Sequence, residues 1–120
     1  MKRVLIVDDA AFMRVALKSM LMNNGFDVVG EAPNGAIGVE KYMELKPDIV
    51  TMDITMPVMD GINALTQIRK LDPNSKVVMV SAMGQETIVR QAIMIGAKSF
   101  IVKPLKEEHV IKTLTQILGI

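Results

Sequence analysis

Val4-Leu5-Ile6-Val7-Asp8-Asp9 (residues 4–9) sets four consecutive apolar residues directly against two consecutive carboxylates. A short apolar run with no polar alternation reads as a strand covered on both faces, which is the habit of a parallel sheet. The same grammar recurs along the chain. Ile49-Val50-Thr51-Met52 runs into Asp53, Val77-Val78-Met79-Val80 into Ser81, and Phe100-Ile101-Val102 into Lys103-Pro104, while Val28-Val29 is a weaker fifth run.

Between these runs the apolar period lengthens to that of helices. Met13, Leu17, Met20 and Leu21 form one stripe, stopped near Gly25. Ile62, Leu65 and Ile68 form a shorter one after Gly61. Ile88, Val89, Ala92 and Ile93 precede Gly96, and Val110, Ile111, Leu114, Ile117 and Leu118 make the clearest stripe. The segment from Ala36 to Leu45 is the weakest helix, because Gly38 inside it costs about 1 kcal/mol relative to alanine. Five strand–helix units in succession predict an α/β fold, a doubly wound parallel sheet with right-handed crossovers. These units use up residues 1–120, so a single domain is expected, with no linker to tether a second.

Bulk properties narrow the function. Fourteen Lys and Arg against thirteen Asp and Glu leave a net charge of +1, with no basic run, which argues against a nucleic-acid partner. Without cysteine there is no disulfide, thiolate nucleophile or Cys-built metal site. Met1-Lys2-Arg3 before the first strand superficially resembles a leader peptide, but the apolar run is shorter than the roughly 7–15 residues such a segment needs. No stretch approaches the ~18 apolar residues of a membrane span. A soluble cytoplasmic protein is expected.

Ligands of open α/β sheets bind beyond the carboxyl ends of the strands. The residues leaving the strands are Asp8 and Asp9, Asp53, Ser81 and Lys103: three carboxylates, a hydroxyl and an ammonium at one edge. Asp8-Asp9 alone could simply cap the first helix. Convergence at four strand exits favours a site instead. Clustered carboxylates repel one another unless a cation joins them, and an all-oxygen set suits a hard ion such as Mg²⁺. A carboxylate beside that ion can attack phosphorus to give an acyl phosphate, with Lys103 pairing the phosphoryl charge and Ser81 donating a hydrogen bond.

Over its full length the chain resembles the receiver domain of two-component response regulators. Val7-Asp8-Asp9, Met52-Asp53-Ile54-Thr55-Met56-Pro57 with Met59-Asp60-Gly61, Ser81-Ala82 and Lys103-Pro104 carry the resemblance. It implies a flavodoxin-like (βα)5 fold of strand order 2-1-3-4-5, and a signalling switch rather than an enzyme that turns over a substrate. It implies that Asp53 accepts a phosphoryl group from a sensor histidine kinase. Asp8, Asp9, Asp53 and the backbone carbonyl of Thr55 would bind Mg²⁺, Asp8 mostly through water. Ser81 and Lys103 would hold the phosphoryl oxygens, and Phe100 would be the switch aromatic, here without a tyrosine hydroxyl. Thr55 and Met83 occupy positions that tune the phosphoryl lifetime.

Residues 8–14, 51–57 and 81–85 further resemble the single-domain chemotaxis regulators, whose phosphorylated form binds the flagellar motor switch. A monomer is expected, served by a chemotaxis-type kinase and a phosphatase, with partner binding on the face of the fourth helix, fifth strand and fifth helix. Two other readings compete: a phosphorelay intermediate passing phosphate to a His-containing domain, and a Mg²⁺-dependent aspartyl-phosphate phosphatase. The latter needs an acid/base Asp two residues after the nucleophile, where this chain has Thr55. A nucleotide or flavin site is disfavoured, because the first strand exits into Asp-Asp rather than a Gly-rich phosphate loop. Eleven methionines read as adaptable core filling, with Met56, Met59 and Met83 as the alternative of a partner surface. His109 reads as a solvated helix residue.

Overall fold

Each apolar run becomes a strand. A computed structural model describes residues 1–120 as β1 (Arg3–Val7), α1 (Ala11–Met22), β2 (Asp27–Ala32), α2 (Gly35–Leu45) and β3 (Ile49–Asp53). There follow α3 (Gly61–Leu71), β4 (Val77–Ser81), α4 (Glu86–Ile95), β5 (Ser99–Val102) and α5 (Glu107–Leu118). The strands pair in parallel in the order β2-β1-β3-β4-β5, as the resemblance implies.

Strand alternation divides the core in two. Val4, Ile6, Ile49, Val78 and Ile101 meet Leu17 and Leu21 of α1 and Val110 and Leu114 of α5 on one face. Leu5, Val7, Val50, Met52, Val77 and Met79 meet α2, α3 and α4 through Val39, Leu65, Ile68 and Ala92 on the other. Leu5, Ile6, Leu65 and Leu114 are completely buried. Side chains of this size contribute about 1.5–3 kcal/mol each relative to exposure.

Gly38, the residue that weakens α2 by propensity, is what lets α2 lie on the sheet. A Cβ there would stand 3.0 Å from both γ-carbons of Val7. Asn34 caps the same helix, accepting from the Ile37 N–H at 2.9 Å. The Tyr42 hydroxyl donates to Asp72 Oδ2 at 2.7 Å, tying α2 to the end of α3. No helix is long and apolar enough to cross a membrane.

Several expectations need correction. Both faces are covered only in the inner strands β1, β3 and β4. The edge strands are partly open, and Phe100 and Val102 of β5 are 44% and 40% exposed. The reason is position: an edge strand has one neighbour, and α4 and α5 reach over it incompletely. β2 extends well beyond Val28-Val29, and its pairing with β1 shifts register between Val4 and Leu5. Ile93 is exposed rather than in the core. The expected stripe of α1 does face the core, with Leu17 and Leu21 buried and Met13 and Met20 half-buried, while the apolar residues outside it, Phe12, Val15 and Met22, face outward. Met52, Met56 and Met79 fill the core, which removes Met56 from any partner surface; Met83 is exposed.

Candidate functional site

The winding of the sheet reverses at β1, which has β2 on one side and β3 on the other. Val7 pairs with Met52, so the next residues, Asp8 and Asp53, leave the sheet side by side. Farther along, Asp53 pairs with Val80 and Ser81 with Val102, which brings Ser81 and Lys103 to the same edge. The Lys103 backbone N–H donates to the Ser81 carbonyl at 2.8 Å and extends the ladder by one bond. The Lys103–Pro104 peptide is cis.

Carboxylate oxygens of Asp8, Asp9 and Asp53 lie within 4.8 Å of one another, with Asp8 and Asp53 buried and Asp9 exposed. Lys103 reaches back from β5, past β4, to stand between two of them. Its Nζ is 3.4 Å from Asp53 Oδ1 and 3.7 Å from Asp8 Oδ2. The Ile54 N–H also donates to Asp53 Oδ1, at 3.0 Å. Both hydrogen bonds to the Asp53 side chain thus fall on Oδ1, and Oδ2 accepts none.

Burial pushes the Asp53 carboxyl above the usual carboxylate range, and the neighbouring charge of Asp8 adds to the rise. The charge of Lys103, its hydrogen bond and that of the Ile54 N–H act in the opposite sense. One ammonium does not offset burial together with a second carboxylate. The donor set is all oxygen, two-thirds buried and electrostatically under-compensated, which fits a small divalent cation.

The loops around the pocket are held by local chemistry. Asp60 caps α3, accepting from the Asn63 N–H at 2.8 Å. Gly61 follows because nothing larger fits: a Cβ would fall 2.0 Å from the Asp53 carbonyl oxygen. Asp8 is not the N-cap of α1, so the capping alternative to a site fails for it. The N-cap position is Ala10, without a side-chain bond, and Asp8 Oδ1 accepts from the Ala10 N–H at 2.8 Å.

The structure therefore gathers Asp8, Asp9, Asp53 and Lys103 into one pocket. Ser81 lies at the end of the adjacent strand, buried, and Thr55 is exposed in the loop after β3. Phe100 stands apart, at an open groove of about 800 Å³ that Ser81, Gln85, Val89 and Ile93 also line. His109 is exposed on α5, as expected of a solvated helix residue.

Two residues escaped sequence reasoning. Gln85 Oε1 accepts from the Ala82 N–H at 2.6 Å while its amide donates to Thr55 Oγ1 at 3.2 Å, linking the loops after β3 and β4. Arg14 donates to the Asp8 carbonyl at 2.6 Å. Each residue ends a motif, 81–85 and 8–14, but none of the three bonds is a matter of spacing.

Residues 4–115 match the family model described as the response regulator receiver domain. The chain is 59% identical to the chemotaxis protein CheY of Thermotoga maritima, the alignment covering 97% of each chain. It is 56% identical to CheY of Bacillus subtilis, covering 98% of each. Among solved structures, it superposes with a TM-score of 0.93 on a chain of the CheX-CheY-BeF3-Mg+2 complex from Borrelia burgdorferi. That match has 42% identity over 97% of this chain and 88% of the other. With the strand order, the acidic edge and these likenesses in agreement, the chain belongs to the response regulator receiver family and is the receiver domain of a CheY-like chemotaxis regulator.

Proposed function

We propose that the chain carries a chemotactic signal as a phosphoryl group on Asp53 and passes it to a partner by a change of surface. The observation that carries this reading is the meeting of three carboxylates within 4.8 Å with an ammonium 3.4 Å from one of them. That arrangement is costly for a merely structural role, because the charges repel and two of the acids are buried.

Asp53 Oδ2 attacks the phosphorus of a phosphohistidine on a sensor kinase. The new O–P bond forms as the P–N bond breaks, and its electron pair leaves with the imidazole. Lys103 shifts its charge from Asp53 Oδ1 to the phosphoryl oxygens, and the Ser81 hydroxyl donates to another of them. Asp8, Asp9, Asp53 and the Thr55 carbonyl would hold Mg²⁺, which when bound supplies positive charge against the carboxylates and the phosphoryl oxygens. The presence of beryllofluoride and magnesium in the Borrelia CheY complex supports this assignment.

The product carries roughly −1.5 to −2 charge, with three new acceptor oxygens, where the carboxylate carried −1. Ser81 is drawn toward it, and Phe100, now half outside, turns into the space behind Ser81. The groove between α4 and β5 changes shape, and the α4–β5–α5 face gains affinity for its partner, the flagellar motor switch. The chain works as a single receiver over residues 1–120, a reading supported by the nearly complete coverage of its CheY relatives. A CheX-type partner or a phosphatase would end the signal, as the CheX-bound relative suggests.

A pull-down with beryllofluoride and Mg²⁺ tests this function. Wild type should retain a motor-switch protein only in the activated sample, and Asp53→Asn in neither. Equal recovery with and without beryllofluoride would refute the switch.

A further inference from the structure

We propose that Arg14 is a positioning residue for the Asp8–Asp9 turn, and that its hold on this turn sets the affinity of the acidic pocket for Mg²⁺. This rests on the reading of that pocket as a Mg²⁺ site.

The turn is closed from two directions. The Asp8 carboxylate folds forward onto the Ala10 N–H at 2.8 Å, while the Asp8 carbonyl is taken by Arg14 Nη1 at 2.6 Å. Arg14 sits on the first turns of α1, a helix with no side-chain cap and no acidic residue in its first turn. The usual devices for fixing a helix start are missing, and Arg14 reaching back to residue 8 takes their place.

Arg14 is itself held. Its Nε donates to Glu31 Oε1 at 3.3 Å, and its side chain is only 19% exposed. Glu31 lies on β2, where its carbonyl accepts from Lys41 Nζ at 2.5 Å and its carboxylate is also 3.8 Å from Lys18. A chain of contacts thus runs from β2 through Glu31 and Arg14 to the carbonyl of Asp8. The planar guanidinium serves two acceptors at once, which a lysine cannot do with the same geometry. With Asp8 so held, Asp9 leaves the turn at a defined angle toward Asp53. Groups that orient metal ligands in this way typically change metal affinity by about 10–100-fold when removed.

Positioning and simple electrostatics predict opposite signs. Arg14 is a cation close to a cation site, so by charge alone its removal strengthens Mg²⁺ binding. If its task is to hold the turn, removal weakens binding. Calorimetric titration of wild type, Arg14→Ala and Arg14→Lys with MgCl₂ at fixed ionic strength decides between them, each below its own melting temperature. Arg14→Ala should bind Mg²⁺ about tenfold more weakly. Arg14→Lys, which keeps the charge and is the milder change for folding, should fall between the two. Unchanged or tighter binding in either variant, with wild type binding normally, overturns the role of Arg14. Absence of Mg²⁺ binding in wild type overturns the pocket reading beneath it.

Discussion

Lys103 Nζ lies 3.4 Å from Asp53 Oδ1 although the two residues are 50 positions apart and β4 runs between their strands. The contact joins a carboxylate whose ionisation is opposed by burial and by the charge of Asp8 to the group that lowers that cost. Replacing Lys103 with methionine keeps the stem and removes the charge. Asp53 should then become harder to ionise, its pKa moving further up. Carbon-detected NMR titration of the Asp53 carboxyl reads this directly, and a fall in pKa would mean that Lys103 does not act on Asp53 in solution.

Asp53 costs the fold stability at neutral pH. Its folded-state pKa lies above the unfolded value, so the folded chain binds the proton more tightly. Stability is greatest below the unfolded pKa and is lost as pH rises through the folded one. In the presence of a chelator, Asp53→Asn should therefore melt a few degrees higher than wild type near pH 7, on the order of 1 kcal/mol. The gap should close as pH is lowered through the Asp53 titration. Added Mg²⁺ should raise the melting temperature of wild type more than that of the variant.

Gly61 should tolerate no side chain. A Cβ 2.0 Å from the Asp53 carbonyl oxygen forces α3 and β3 apart at the pocket floor. Gly61→Ala should cost about 2–4 kcal/mol by denaturant unfolding, at the upper end of ordinary substitutions. A loss below 1 kcal/mol, on the order of a neutral surface change, would show that the loop yields cheaply.

Thr51 is a weak point in the sheet. It lies in the interior of β3 at 1% exposure, and its hydroxyl has no hydrogen-bond partner. Valine has nearly the same shape without the buried polar atom. Thr51→Val should stabilise the protein by about 1 kcal/mol. Destabilisation of that size would reveal a partner for the hydroxyl.

Much of this was legible in the residues, for definite reasons. Val4–Val7, Ile49–Met52 and Val77–Val80 are inner strands, so burial on both faces left an apolar mark broken only by Thr51. Their exits named Asp8, Asp9, Asp53, Ser81 and Lys103 because sheet topology alone carries those residues to one edge. The edge strands blurred because one-sided cover relaxes their composition: Phe100 and Val102 look like core residues and are not. Gly38 misled for a related reason, since helix propensity is local while its need to clear Val7 is tertiary. Arg14 and Gln85 were out of reach, because a guanidinium on Asp8 and an amide on Thr55 depend on side-chain reach across loops.

The proposed switch runs through an acyl phosphate on Asp53. Treatment of the protein with acetyl phosphate and Mg²⁺, followed by borohydride reduction and peptide mapping by mass spectrometry, tests it most directly. Reduction of an aspartyl phosphate leaves homoserine, so homoserine is expected at position 53 alone, dependent on Mg²⁺ and absent from Asp53→Asn. Homoserine at another aspartate, or a phosphoryl group that survives reduction on Ser81, would contradict it.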